Sequence, residues 1–204
     1  DGTHAEVDEH IADVREVVER EGATEVRVSR DDAERAIFWA GRKAAFPAMG
    51  RISPDYYCMD GTIPRKALAD VLIGIGELSK KYGQRVANVF HAGDGNLHPL
   101  ILYDANVEGE LERTEEFGGA ICELRLEHGG TITGEHGVGM EKIDQMCVQF
   151  PPDELTQFHA VKQAFDGKGL LNPGKAVPTL HRCAEFGAMH VHNGELPFPE
   201  LERL

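Results

Sequence analysis

The sequence is short of basic charge. Lysine and arginine number 21 against 35 aspartates and glutamates, a formal net charge of −14 with histidine neutral. That imbalance argues against a nucleic-acid partner, which needs clustered cations to replace phosphate counterions. It argues equally against an anionic membrane surface, since no basic amphipathic stretch offsets it. Long apolar runs are missing as well. Val71-Leu72-Ile73 stands between Asp70 and Gly74, far short of the roughly 20 residues a spanning helix needs. Cys58, Cys122, Cys147 and Cys183 form no C-x-x-C pair and fit no zinc spacing. They read as small buried apolar residues in a reducing compartment. The N-terminus has neither the basic flank nor the apolar core of a signal peptide. It opens on Asp1-Gly2 rather than on Met, a turn dipeptide that normally follows a strand. The chain is therefore expected to be a piece of a longer protein, starting just after a missing first sheet strand.

Hydrophobic residues make up 41% and charged residues 27% of the 204 positions, the composition of a folded chain. A chain of this length buries roughly 70% of its unfolded surface, so one domain, or one domain with a tail, is expected. No internal repeat is visible. Val7, Ile11, Val14 and Val18 recur at helical spacing before Gly22. Val26 and Val28 alternate as in a strand over 24–28, and a second helix follows from Ser29 and Asp32. Residues 41–54 read as irregular, and Trp39 as a core residue. A strand is expected over 55–60, and a long helix from Pro64 to Gly83. Strand-like runs at 86–91 and 97–103 flank Asp94-Gly95. Helices follow around Leu111–Leu124, Met140–Cys147 and Leu155–Phe165, with a short β-prone run at Thr131–Thr133. Glycines of the Gly74-x-Gly76 kind, inside a helical pattern, read as close packing. The order of elements predicts an α+β domain with a ferredoxin-like antiparallel sheet and helices on one side. It is expected to fill 1–150 and to lack its first strand. A C-terminal helix and irregular tail would fill 151–204.

Glycine, at 23 of 204 residues, exceeds the usual ~7%, and the excess is local. Gly93 and Gly95 form one cluster; Gly129, Gly130, Gly134, Gly137 and Gly139 form another. Asp94-Gly95 signals a two-residue hairpin turn. With that turn, Gly93 opposes Asn96, Ala92 opposes Leu97, and His91 opposes His98. Opposed residues share a face with Cβ atoms about 4.5–5.5 Å apart, so two imidazoles could bite one metal ion. A slip of one residue would separate them. The alternative is two ordinary polar side chains at a hairpin end. In the second cluster, Gly134-Glu135-His136-Gly137, Glu135 would complete a set of two imidazoles and a carboxylate with open positions. His136 beside it is a candidate general base. The loop is no dinucleotide fingerprint, because its glycines stand in the wrong order.

These segments resemble motifs of the FAD-linked oxidase C-terminal domain family, of the vanillyl-alcohol oxidase type. His91-Ala92-Gly93-Asp94-Gly95-Asn96-Leu97-His98 is similar to its H-x-G-D-G-N-x-H motif. Gly134-Glu135-His136-Gly137 is similar to its G-E-H-G motif, and Leu171-Asn172-Pro173-Gly174-Lys175 to its closing L-N-P-G-K motif. Phe38–Lys43, the 55–64 segment and the tail 178–187 most resemble the glycolate-oxidising flavin subunits within the family. The resemblance implies oxidation of a small 2-hydroxy acid, glycolate to glyoxylate, with hydride passed to FAD held mainly by an absent N-terminal domain. It implies a divalent metal (zinc, manganese or iron) on His91, His98 and Glu135. His136 would take the hydroxyl proton, Arg42 would meet the substrate carboxylate, and Asn172 and Lys175 would lie in the segment returning to the flavin. The implied partners are the FAD domain of the same full-length chain and other subunits of the oxidase, in the cytoplasm or peripheral at the inner membrane through those subunits. Self-association of the piece alone is a further expectation. The alternatives are a D-lactate dehydrogenase of the same family, or a metal-binding or subunit-docking module without activity of its own. One position departs from several relatives that act on larger acids: Leu100 stands where they have Asn, which suggests a small substrate. His181, His190 and His192 in the tail read as incidental.

Overall fold

The structure is a computed structural model and describes residues 2–178. The tail segment 179–204, with Cys183, His181, His190 and His192, lies outside the described residues. The chain divides into two compact units, Asp1–Ala45 and Phe46–Leu204. Beyond residue 150, the helix Pro152–Phe165 places Leu155 in the same core as the sheet.

The first unit is helical. Helix α1, His4–Arg20, opens with Thr3, whose hydroxyl and backbone exchange hydrogen bonds with Glu6 in a capping box. Helix α2, Asp32–Lys43, is capped by the Asp31 carboxylate, which accepts from the Glu34 amide at 2.8 Å. Two expectations fail here. Residues 24–28 form no strand, because among the described residues no partner strand offers them a ladder. Instead Val26 and Val28 line an open groove of about 410 Å³ with Val7, Ile11 and Val14 of α1. Trp39 is not a core residue; it is 59% exposed.

The second unit begins within α3, Ala45–Met49; this helix and the end of α2 fall inside the stretch 41–54 expected to be irregular. Strands β1, Asp55–Cys58, and β2, Gly61–Thr62, follow, then a 3-10 turn at Arg65–Ala67 and helix α4, Leu68–Tyr82. Gly83 stops α4 in the left-handed conformation. Strands β3, Val86–His91, and β4, Asn96–Tyr103, make a hairpin, and α5, Glu110–Glu127, α6, Ile143–Gln149, and α7, Pro152–Phe165, complete the unit. Strand β4 is the centre of the antiparallel sheet: β3 pairs along one edge, and β1 and β2 pair in succession along the other. The β-prone residues Thr131–Thr133 are not a strand. Thr131 nonetheless donates one backbone bond to the Thr62 carbonyl at 2.8 Å and extends the sheet beside β2. The expected α+β architecture is thus present, with a small antiparallel sheet carrying helices.

Side chains alternate along β4. Leu97 and Ile101 enter the core with Val71 and Ile75 of α4 and Phe117, Ile121 and Cys122 of α5. Each such fully buried side chain contributes about 1.5–3 kcal/mol. Gly74 lets α4 and α5 close, since a Cβ there would lie 2.8 Å from Leu124 Cδ2, which bears out its reading as a packing glycine. Cys58 and Cys122 are free thiols. Cys147 is disulfide-bonded, which corrects the reading of four reduced cysteines. The other face of β4, with Asn96, His98, Leu100 and Leu102, points away from these helices. The candidate site residues His91, His98 and Glu135 gather on that face.

Candidate metal centre

The β3–β4 hairpin is longer than the two-residue turn expected from Asp94-Gly95. Residues 92–95 all lie in the turn, and His91 pairs with Asn96, Phe90 with Leu97 and Val89 with His98. Each β3 residue thus meets a partner two places earlier on β4 than the two-residue turn requires. A shift of two preserves facing, whereas a shift of one would reverse it. His91 and His98 therefore stay on one face as diagonal neighbours, their ring centroids 5.5 Å apart. His98 is buried and His91 exposed. Phe46 closes on the His98 ring edge-on, with centroids 5.9 Å apart.

The loop after Thr131 brings the second cluster over this face. Glu135 Oε1 lies 2.8 Å from His98 Nε2. The candidate ligand atoms of His91, His98 and Glu135 all fall within 4.8 Å of one another. The His136 ring sits 5.3 Å from that of His98, and its Nε2 is 3.8 Å from Glu135 Oε1. Both Glu135 and His136 remain about half exposed, at 52% and 48% of their side-chain surface. The hairpin pair His91 and His98 and the loop pair Glu135 and His136 thus meet across a separation of 37 residues between His98 and Glu135. Gly134 is required there: a Cβ would stand 2.4 Å from Asn96 Oδ1. Asn96 is buried beneath the loop, and its Oδ1 has no hydrogen-bond partner among the described residues.

Beneath the loop lies a buried charged group that sequence reasoning missed. Asp60 is fully buried, just after β1. Its Oδ2 accepts the backbone amides of Gly134 at 2.8 Å, Glu135 at 2.6 Å and His136 at 2.9 Å. The Thr133 hydroxyl adds a longer bond at 3.3 Å. Asp60 Oδ1 meets the buried ammonium of Lys142. Burial would raise the Asp60 pKa, but the His136 amide, Lys142 and the Glu135 amide together hold it well below the ordinary carboxylate range. Arg125, fully buried on α5, donates to the carbonyls of Asp60 at 2.9 Å and of Met59. Desolvation lowers its pKa. Arg125 carried a legible signal. It continues the apolar stripe Thr114, Phe117, Gly118, Ile121, Cys122 of α5, so a charge stands where the helix faces the core. Asp60 carried none, because its partners lie more than 70 residues away.

Arg42, Asn172 and Lys175 are the remaining expected site residues. Arg42 lies exposed in the last turn of α2, in the first unit. Asn172 and Lys175 are exposed in the segment after α7, with Lys175 Nζ 3.5 Å from Asn172 Oδ1. That segment touches the glycine loop once, through the Ala176 amide and the Gly139 carbonyl at 2.9 Å. Leu100 is fully buried on the His98 face of β4.

Compared with known proteins, residues 1–176 match the family described as FAD linked oxidases, C-terminal domain. The chain is 68% identical over 203 residues to the glycolate oxidase subunit GlcD of Escherichia coli (strain K12), covering 100% of this chain and 41% of that protein. It is 33% identical over 175 residues to the glycolate oxidase subunit GlcD of Bacillus subtilis (strain 168), covering 86% of this chain and 37% of the relative. A D-lactate dehydrogenase of Anaerostipes hadrus is 32% identical over 177 residues, again 86% of this chain and 37% of the relative. The chain spans about two fifths of the length of these curated relatives.

Proposed function

The chain belongs to the FAD linked oxidase C-terminal domain family, and from that membership we propose that it is the substrate-binding part of an FAD-dependent oxidoreductase. The proposed reaction oxidises a small 2-hydroxy acid, glycolate to glyoxylate. The observation that carries the reading is the convergence of His91, His98 and Glu135 within 4.8 Å, with His136 beside them on one open face.

The donor set fits a divalent metal. Two imidazole nitrogens and one carboxylate, with open positions, suit zinc, manganese or iron. His91, His98 and Glu135 would hold the ion, and when bound it would lower the pKa of the substrate hydroxyl. FAD, held mainly by a further domain of the full-length chain, would accept the hydride. The protein's own residues supply the rest. His136, half exposed with Nε2 toward Glu135, accepts the hydroxyl proton. Its Nδ1 lies 3.7 Å from Asp60 Oδ1, so the buried carboxylate backs the ring. Arg42 takes the substrate carboxylate in a two-pronged bond. Asn172 and Lys175 would lie in the segment that returns to the flavin. Leu100 offers no polar group to a longer acid.

The partners in this reading are the FAD domain and the other subunits of the oxidase. The cytoplasmic placement, at the inner membrane through those subunits, belongs to the same proposal. No helix among the described residues is long and apolar enough to cross a membrane. The 204-residue chain alone is expected to be colourless and inactive; stoichiometric tight flavin in it would refute that.

D-lactate oxidation is the second reading, favoured by the D-lactate dehydrogenase relative. Glycolate and lactate differ by one methyl, worth only about 1–3 kcal/mol of discrimination. The test is kcat/KM of the full-length enzyme on both acids, before and after chelation and remetallation. Higher kcat/KM on glycolate, lost on chelation and regained with metal, is expected. Preference for D-lactate selects the second reading. Chelation without effect on either acid overturns metal-assisted oxidation.

A further inference from the structure

We infer that Asp60 is a positioning residue of this site: its buried carboxylate fixes the backbone of residues 134–136 and so aims Glu135 and His136. The inference rests on the reading of Glu135 as a metal ligand and deepens it.

Residues 134–136 lie in neither helix nor strand, so no regular ladder holds them. Three consecutive amides, those of Gly134, Glu135 and His136, converge on the single oxygen Oδ2 of Asp60. These are the residues from which the two functional side chains depart. The Thr133 hydroxyl accepts the Gly137 amide at 3.0 Å and shares its one proton between the Gly137 carbonyl and the Asp60 carboxylate. The second oxygen, Oδ1, is occupied by Lys142. The two oxygens thus divide their roles: one neutralises a buried cation, the other sets the loop. Asn96 also stands close against Gly134, within 2.4 Å of where a Cβ there would lie. Partners of this kind, behind the ligands, govern metal affinity by about 10–100-fold when removed.

A buried ion pair can often be exchanged for apolar residues of similar volume with little loss of stability. The test therefore uses Asp60→Leu/Lys142→Met in the full-length flavoprotein, which removes the pair together and takes away the one oxygen that accepts all three amides. Asp60→Glu, which keeps the charge opposite Lys142 and displaces the carboxylate by one methylene, is the second variant and carries the test if the first does not fold. Cobalt(II) is titrated into metal-stripped protein, its visible spectrum recorded, and hydrogen exchange of the 133–137 peptide followed by mass spectrometry. The expected result is a fall of about tenfold or more in cobalt(II) affinity, an altered cobalt(II) spectrum and faster amide exchange, with bound FAD unchanged. Wild-type affinity and spectrum in either folded variant overturns the inference. If the wild type itself takes up no cobalt(II), the metal reading fails separately. The exchange measurement then decides alone: unchanged protection of 133–137 overturns the positioning role, and lost protection supports it.

Discussion

Substituting Gly134 by alanine isolates the steric fit between the glycine loop and the hairpin. The added Cβ would stand 2.4 Å from Asn96 Oδ1 and 2.9 Å from its Cγ, closer than carbon atoms approach in folded proteins. Asn96 cannot swing aside freely, because it is 6% exposed and held in the strand by pairing with His91. The loop cannot lift without breaking the Gly134 amide bond to Asp60 at 2.8 Å. Overpacking of this kind costs about 1–3 kcal/mol. For a domain of this size that is a fall of roughly 2–4 °C in unfolding midpoint per kcal/mol. Because the displaced residues carry Glu135, metal affinity should fall with stability. Differential scanning calorimetry and metal titration of the full-length protein read both. Asn96→Ala removes the obstruction, so the double variant should recover at least ~1 kcal/mol relative to additivity. Gly137→Ala is the control: φ is +84° there and nothing lies within 4 Å, so its cost is backbone strain and Asn96→Ala should not relieve it. Full additivity of Gly134→Ala with Asn96→Ala would refute the steric account.

Three further outcomes follow from the buried groups. Asp60 has a folded pKa below its unfolded value, so its contribution to stability is complete above about pH 4. It is lost as pH falls further, toward the folded pKa, and the acid limb of the stability–pH curve should flatten in Asp60→Leu/Lys142→Met. Burial, then the charge of Asp60, pushes the Cys58 thiol up to about 11, so iodoacetamide should modify it at pH 8 much more slowly than a free thiol in a peptide. Arg125→Met leaves the Met59 carbonyl without its guanidinium donor and the Asp60 carbonyl with Lys142 alone, at a cost of about 1–3 kcal/mol for the orphaned carbonyl; an unchanged unfolding midpoint would show that the guanidinium is dispensable.

Much of the second unit was legible because its elements announce themselves locally. The periods of α4 and α5, and the strand runs on either side of the glycine turn, depend on neighbours a few residues away. The hairpin shows both the reach and the limit of such reading. Asp94-Gly95 located the turn but not its length, and the two-residue error left His91 and His98 on a common face because side chains alternate with period two. The helical stripe of α1 was also read correctly as periodicity, but periodicity does not say what covers it. None of its residues is buried. Arg125 was legible in the buried stripe of α5, but Asp60 and Lys142 escaped for another reason. Their burial is recognisable only with their partners, which come from the residues after β1, from α5, from the glycine loop and from the segment before α6. Arg42, Asn172 and Lys175 entered through family resemblance alone, and their roles are proposals for the full-length protein.

The central claim is that His91, His98 and Glu135 bind one divalent metal ion on the face of β4. Elemental analysis of the full-length flavoprotein tests it most directly, comparing wild type with His91→Ala/His98→Ala at matched FAD content. The account predicts stoichiometric divalent metal in the wild type and background levels in the double variant. Undiminished metal in the double variant would contradict it.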